Sequence, residues 1–516
     1  MNTYKLVKEN KYVIYGAAFM GKLVLEGMNK AGYSIKAFLD KRAEELQEVD
    51  GIRIYDPEKY EDADKEHTVI IVAITNVFEQ PQVADYLQKQ GYKKIICKMS
   101  ANNQYKSEDM RKMFDVYEMI LEGAINENIE LTELTEECQS IFFEDHAIIK
   151  QFGENEIVAY VPMELCYANK IAMPKELQGK NEECDGDGTF VIYSQARIID
   201  LFRAFEGNKQ EVKTAMDNFR DYFFKNPGRY YSFPRTEQGF QDFISNRYEI
   251  YMRMSQILNQ GIEFFVQAPI EVKWNEHGYF RVLDGAHRVC FFIAKGLRYI
   301  PARMSKEDYE HWKNESKLYD CIEYMKKMNC LPAYAPILHP NFMNYPTRRD
   351  TAGNTRISQI FNYLYYRKIS MHGKTVLDIG SYYSFFAQAF EKIGAKVTTL
   401  EVYESSYEAG KKINDLLYCT NIRAIQGNIS DVEFEEKFDV TIMLTVFYPY
   451  LDKNDGERVI KKVGNVTKQM MIWESGERPQ QEIEFILKHT DFVTYEKIAE
   501  TYGTGRTREL GVFYKM

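Results

Sequence analysis

Short apolar runs alternate with segments of helical period along most of the chain. In KYVIYGAAFMGKLVLEGMNKAGYSIKAFLD, the run Tyr12 to Tyr15 reads as a strand, a glycine turn follows, and a helix of period 3.6 leads to a second strand ending at Asp40. HTVIIVAIT and KKIICKM supply later strands, with QVADYLQKQG as a helix between them. Strands joined through helices predict a βαβ, doubly wound arrangement. Further on, SNRYEIYMRMSQILNQGIEFFVQAPIEVKW reads as a helix, a glycine turn and a strand after Pro269. YFRVLDGAHR then gives a strand and a tight turn, followed by a helix to Gly296 and a strand at YIPARM. The third block, HGKTVLDIGSYYSFFAQAFEKIGAKVTTLEVYESS, predicts a strand, a turn after Asp378, a helix, and a second strand ending at Glu401. KFDVTIMLTVFYPYL and QMMIWES follow as the fourth and fifth strands of that block.

The stretch between the first two blocks is less regular. SEDMRKMFDVYEMILEG has the spacing of an amphipathic helix and EIVAYVPMELCYA alternates like a strand. GKNEECDGDGT predicts an acidic surface loop whose carboxylates lack the spacing of a calcium loop. The expected division is a domain over 1–100, a connecting region over 101–190, a second domain over 191–335 and a third over 340–516.

At 516 residues the chain has room for about three ordinary domains, and 45% hydrophobic with 28% charged residues is the balance of a globular protein. Its net charge of −10 argues against a nucleic-acid partner held by bulk electrostatics. The polar start MNTYKLVKENKYVIYG does not read as a signal peptide, and no apolar run reaches the length of a membrane span. Eight cysteines without C-x-x-C spacing suggest neither a zinc site nor a disulfide framework, and no metal site is predicted. A cytoplasmic location is the expectation.

Gly16 and Gly21 occupy the outer positions of G-x-G-x-x-G, but Ala18 replaces the middle glycine that lets backbone approach a pyrophosphate. The same stretch is a near miss for a phosphate-cradling G-x-x-x-x-G-K loop, since Leu23 stands where a Mg²⁺-binding hydroxyl is needed. Asp40, at the end of the second strand, is placed to bond a ribose. The pattern resembles the small Rossmann-like domains attached to bacterial sugar-modifying and acyl-modifying enzymes. That resemblance implies either a nucleotide or nucleotide-sugar ligand at Gly16, Gly21 and Asp40, or a ligand-free docking domain.

In DGAHR, Asp284 and Gly285 form a turn, and His287 and Arg288 fall in the first turn of a helix, where backbone N–H groups favour an anion. The alternative is a capped turn with two solvated side chains. The order helix, Gly, PIEV, strand, DGAHR, helix, Gly, IPARM over residues 245–305 resembles the ParB/sulfiredoxin superfamily, whose equivalent turn binds nucleotide phosphates. Ala286 replaces the reactive cysteine of sulfiredoxins, and SKEDYEHWKNESKLYDCIEYMKKM is unlike a DNA-reading helix-turn-helix. The remaining branch phosphorylates small molecules. It implies ATP or CTP with Mg²⁺, His287 and Arg288 on the phosphates, Asp284 shaping the turn or approaching the metal ion, and Glu271 or Glu249 as base.

The series LDIG, LE, GNISD and FDV resembles class I S-adenosylmethionine (SAM) methyltransferases over residues 345–516. RISQIFNYL and the closing GTGRTRELGVFYKM resemble, in particular, the methyltransferase domains of surface-glycan kinase–methyltransferases. By that resemblance, Asp378, Gly380 and Ser384 line the cofactor turn, Glu401 takes the ribose hydroxyls, Asn428 edges the adenine, and Tyr448 orients the acceptor. Tyr382 and Ser384 depart from the usual glycines of the turn, and Tyr448-Pro449 replaces a usual histidine.

The expected fold is therefore a multidomain α/β chain, with two Rossmann-like doubly wound domains flanking a ParB/sulfiredoxin-like α+β domain. The expected function is phosphorylation and methylation of a bacterial glycan or small-molecule acceptor. The alternative is a nucleotide-sensing scaffold with a decayed SAM site.

Overall fold

The computed structural model describes residues 3–74, 80–97, 116–132, 143–169, 188–190, 196–225, 232–328, 333–343, 345, 347, 349–350, 355–451, 455–503 and 506–515. The chain divides into two compact units: Met1–Glu144 with Ile322–Ala333 and Asn344–Pro346, and Asp145–Cys321 with Tyr334–Met343 and Thr347–Met516.

The first unit holds β1 (Thr3–Lys5), β2 (Lys11–Tyr15), β3 (Ile35–Leu39), β4 (Glu48–Val49), β5 (Ile52–Tyr55), β6 (Thr68–Val72), β7 (Lys94–Cys97) and β8 (Glu130–Thr132). Six of them form a sheet in the order β4-β5-β3-β2-β6-β7, parallel except for the β4–β5 pair, while β1 and β8 pair separately. All five residues of β6 are buried, as expected of a strand covered on both faces. The helix Phe19–Lys30 packs so closely on Val116–Glu122 that a Cβ at Gly27 would lie 1.8 Å from the Ile120 carbonyl oxygen.

The second unit holds two seven-stranded sheets. The first is built from β9 (Ile148–Phe152), β10 (Glu156–Pro162), β11 (Cys166–Asn169), β12 (Gly188–Phe190), β13 (Ile270–Asn275), β14 (Tyr279–Asp284) and β15 (Tyr299–Ser305). Its order is β12-β11-β14-β13-β15-β10-β9, with mixed directions. Four of these strands come from the stretch expected to be a connection, so the expected boundary at 191 falls inside this sheet. The cause is non-local pairing: β10 lies antiparallel to β15 along seven residues. The acidic stretch falls outside the described residues up to 187.

The second sheet of this unit comprises β16 (Thr375–Ile379), β17 (Lys396–Glu401), β18 (Ile422–Gln426), β19 (Phe438–Leu444), β20 (Thr467–Glu474), β21 (Thr494–Gly503) and β22 (Arg506–Tyr514). The order is β18-β17-β16-β19-β20-β22-β21, and β22 runs antiparallel between β20 and β21. Strand order reverses between β16 and β19, the kind of point at which open α/β sheets bind ligands. Polar contacts fasten this sheet's layer to the preceding one: Asn314 Nδ2 donates to the Leu416 carbonyl (2.9 Å), and Tyr418 donates to that of His311 (2.8 Å). Tyr366 likewise donates to Asp200.

Candidate functional site

The turn after β16 builds a small cavity at the reversal point. Its lining includes Asp378, Gly380 and Tyr382 from the turn, Leu444 at the end of β19, and Tyr334 and Arg356 from segments preceding β16. The cavity volume is about 50 Å³. Gly380 sits at φ +70°, and a Cβ there would lie 2.7 Å from Val446, so the turn needs glycine twice over. Tyr382 and Ser384 hold left-handed conformations too, at φ +51° and +64°. The turn thus holds a glycine-like backbone at two non-glycine positions. The Tyr382 and Tyr383 rings stack with centroids 3.9 Å apart, beside Tyr334.

Two carboxyl groups stand at the ends of β16 and β17. Asp378 is buried, and its Oδ2 lacks a hydrogen-bond partner. Burial and the nearby Glu401 push its carboxyl up to about 7, against the Ala387 N–H and the Arg356 charge. Glu401 accepts the backbone N–H of Tyr382 (2.8 Å) and that of Tyr403 (3.0 Å), while burial outweighs these bonds and raises its carboxyl. Of the residues expected here, Asp378 and Gly380 line the cavity, and Glu401 stands behind the turn. Ser384 is buried where a Cβ on Gly410 would touch its Oγ at 3.0 Å, so it packs under the helix Glu404–Leu416. Asn428 Oδ1 accepts from the Ser430 N–H (3.0 Å), the Ser430 hydroxyl (3.0 Å) and the Tyr450 hydroxyl (3.2 Å). Tyr448 lies exposed in the turn Tyr448–Tyr450, with its ring over Gly476.

A buried charge cluster supports the cavity and was not foreseen. Glu474, the last residue of β20, receives both Arg349 Nη1 (2.8 Å) and Nη2 (2.9 Å), Arg356 Nη1 (3.2 Å), and the hydroxyls of Thr445 and Thr501 (2.5 Å each). Arg356 also binds Asp350 through Nε (3.0 Å) and Nη2 (2.6 Å). Burial alone would raise the Glu474 carboxyl, but the two guanidinium groups and the Thr445 hydroxyl hold it down to about 2. The signal available in the sequence was the carboxylate that follows the apolar run in QMMIWES, the same cue that singled out Glu401.

In the preceding sheet, Asp284 ends β14, Gly285 turns at φ +95°, and the helix Ala286–Ala294 begins. An open cleft of about 600 Å³ lies between this turn and one face of the helix Glu237–Leu258, which contributes Ile250, Arg253, Met254 and Ile257. The expectation that the Arg288 fork faces a ligand meets a different arrangement. Its Nη1 donates to the carbonyls of Ala268 and Pro269 (2.6 Å each), and its Nη2 donates to Asp284 (2.5 Å). His287 Nδ1 lies 3.1 Å from Arg247 Nη1. Arginine only donates, so this nitrogen accepts and the ring proton sits on Nε2. Glu271 is exposed and opposite Asp284 in the β13–β14 ladder; Glu249 is exposed on the long helix.

In the first unit, Gly16 has φ +106°, and a Cβ there would lie 2.6 Å from the Ala73 carbonyl oxygen. A Cβ at Gly21 would lie 2.0 Å from the Gly16 carbonyl oxygen, so both glycines are required by packing alone. Asp40 accepts the N–H groups of Ala17 and Arg42 (2.9 Å each) and pairs with the Arg42 side chain. Burial works against ionisation of Asp40, but the Arg42 side chain and these N–H groups prevail and hold its carboxyl below the usual range.

Residues 11–87 match the family model described as the PglD N-terminal domain. No curated protein matches the chain. Among solved structures, the chain is similar to the bifunctional kinase-methyltransferase WbdD at 20% identity, over 35% of this chain and 43% of that one, with a TM-score of 0.29. It is similar to magnesium protoporphyrin IX methyltransferase (ChlM) from Synechocystis PCC 6803 at 14% identity, over 31% of this chain and 82% of that one, with a TM-score of 0.27. EvdMO1 matches at 14% identity over 30% and 40%, with a TM-score of 0.25. The chain spans less than half the length of EvdMO1 and of WbdD. Among the described residues, no helix is long and apolar enough to cross a membrane, and no group of three or more His, Cys, Asp or Glu is arranged to hold a metal ion.

Proposed function

We propose that the chain is a SAM-dependent methyltransferase acting on a glycan or small phosphorylated acceptor, with a second ligand site for nucleotide phosphates at the DGAHR turn. The observation that carries this reading is the Asp378–Gly380 cavity at the reversal of strand order between β16 and β19. The fit is chemical before it is volumetric. An unpartnered carboxyl oxygen, a glycine turn in left-handed backbone and a second buried carboxyl suit the polar methionine and ribose parts of the cofactor. A space of about 50 Å³ admits little of a ligand that size, so Tyr382 must move aside. When bound, the cofactor supplies an electrophilic methyl group.

Asp378 and Gly380 would hold the methionine part, Glu401 the ribose hydroxyls and Asn428 the adenine edge. Ser384 would fix the turn from beneath. Arg356, tied to Asp350 and Glu474, keeps the wall of the cavity rigid. Tyr448 would align the acceptor, since methyl transfer to an oxyanion depends on alignment more than on a strong base.

In the DGAHR cleft, His287 Nε2–H and the first amides of the helix Ala286–Ala294 would face phosphate oxygens of ATP or CTP. Asp284 is taken up by Arg288, which leaves it a poor partner for Mg²⁺, and we assign it to shaping the turn. Glu271 would accept a hydroxyl proton if phosphoryl transfer occurs there. In the first unit, Gly16, Gly21 and Asp40 would serve a nucleotide or nucleotide-sugar.

Calorimetry of the full chain against SAM, ATP, CTP and NAD tests these readings together. No heat of binding with SAM at millimolar concentration would remove the methyltransferase reading. The stacked Tyr382–Tyr383 pair lining so small a cavity favours a second reading, a nucleotide-sensing scaffold whose SAM site no longer opens.

A further inference from the structure

The cleft at the DGAHR turn carries an assignment that its sequence does not advertise. Arg288 has the conspicuous position, yet its two terminal nitrogens serve the carbonyls of Ala268 and Pro269 and the carboxylate of Asp284. These bonds tie the segment before β13 to the end of β14 and the start of the next helix. They also explain Gly285: a Cβ there would sit 2.8 Å from Ile270 and 2.9 Å from Arg288 Nε. Arg288 is thus a strut of the turn.

Arg253 has the opposite character. It stands on the facing helix and lines the same cleft, and it is exposed. No described residue hydrogen-bonds or ion-pairs with it. The spacing 250, 253, 254, 257 puts it on the helical face that forms the wall, between apolar neighbours. Across the cleft lies His287, whose Nδ1 accepts from Arg247 of the same helix as Arg253, which leaves the ring proton on Nε2. The cleft therefore presents a guanidinium that no described residue engages, the His287 imidazole and an apolar wall completed by the exposed Leu283. Its volume, about 600 Å³, lies within the range of small-ligand sites.

We infer that Arg253, on the helix opposite the turn, is the guanidinium that binds the phosphate chain of a nucleoside polyphosphate in this cleft, with the apolar wall beside the nucleoside and Arg288 supporting the turn. This rests on the nucleotide reading proposed above. A planar fork suits two phosphate oxygens at once, and a donor already engaged with carbonyls cannot offer that geometry without breaking the turn.

The test is calorimetry of the full chain with ATP, CTP and inorganic triphosphate, on the parent, Arg253→Ala and Arg288→Lys, with a thermal melt of each. Arg253→Ala should keep the parental melting temperature and lose roughly ten- to hundredfold in affinity, the scale of a charged hydrogen-bonding group. Arg288→Lys should lower the melting temperature. Binding of ATP or CTP by Arg253→Ala at parental affinity overturns the assignment while leaving the nucleotide reading intact. Failure of the parent to bind any of the three overturns both. Loss of triphosphate binding in Arg253→Ala, with the melt unchanged, supports a contact to phosphate rather than to the base.

Discussion

Tyr382 donates its backbone N–H to Glu401 Oε2 at 2.8 Å while holding φ at +51°. The carboxylate expected to take a ribose is therefore also the anchor of a turn in left-handed backbone. For a non-glycine residue that backbone costs on the order of 1–2 kcal/mol. The bond to Glu401 and the ring stack with Tyr383 hold it there. Loop geometry and cofactor site are thus one device, and substitutions at either residue should report on both.

Tyr382→Gly separates the two. It relieves the left-handed strain, but the freer unfolded chain costs about 0.5–1 kcal/mol, and the ring stack is lost. The net change in stability should stay within about 1 kcal/mol. The cavity should enlarge, so SAM affinity measured by calorimetry should rise. A fall in affinity would mean that the ring itself contacts the cofactor and is no plug.

Glu401→Ala should weaken SAM binding by about 1.5–3 kcal/mol, the scale of hydrogen bonds to a charged group. The same change removes the acceptor for the Tyr382 and Tyr403 N–H groups, so the melting temperature should fall as well. Glu401→Gln retains an acceptor oxygen and should recover more stability than affinity. Equal recovery of both would deny the carboxylate any role with the cofactor.

Asp378 gives a pH signature. Its carboxyl is raised to about 7 in the folded chain, from an unfolded value of ~3.9. Between those values the folded state binds more protons than the unfolded one, so this group makes stability fall as pH rises, by at most ~1.4 kcal/mol per pH unit. The loss is complete above the folded pKa. Asp378→Asn should flatten the curve of denaturation midpoint against pH between about 4 and 7. Parallel curves for parent and variant would show that Asp378 ionises normally.

In the third block β16, β17, β19 and β20 were legible because each carries a run of buried residues, with its chemistry at the strand ends. Asp378 and Glu401 both follow that rule: Asp378 lies near the end of β16, beside the reversal of strand order, and Glu401 ends the neighbouring β17. Glu474 follows it too, but its meaning depends on Arg349 and Arg356, more than a hundred positions away in sequence. Such pairing leaves no local periodicity. The same reason hid where β10 and β11 belong: EIVAYVPMELCYA reads as strand, but their partners β15 and β14 lie beyond residue 278. Arg288 was visible as a residue type in a turn, while the carbonyls that occupy it belong to the non-periodic stretch before β13.

The Glu474 cluster supplies the last prediction. Arg349 and Glu474 are both essentially inaccessible to solvent, and their two hydrogen bonds are 2.8 and 2.9 Å. Arg349→Ala leaves the Glu474 charge buried with only Arg356 and the two hydroxyls, which should cost about 3–5 kcal/mol. The carboxyl is held down to about 2 in the folded state, against ~4.3 when unfolded. Its contribution is present above the unfolded value and is lost as pH falls through the folded one, because protonation then favours the unfolded chain. Acid denaturation of the parent should therefore steepen below about pH 4. In Arg349→Ala the carboxyl should titrate higher, moving that transition to higher pH. Combining Arg349→Ala with Glu474→Gln removes the stranded charge, so the double variant should be more stable than Arg349→Ala alone. A double variant no more stable than the single one would show that the pair acts through packing alone.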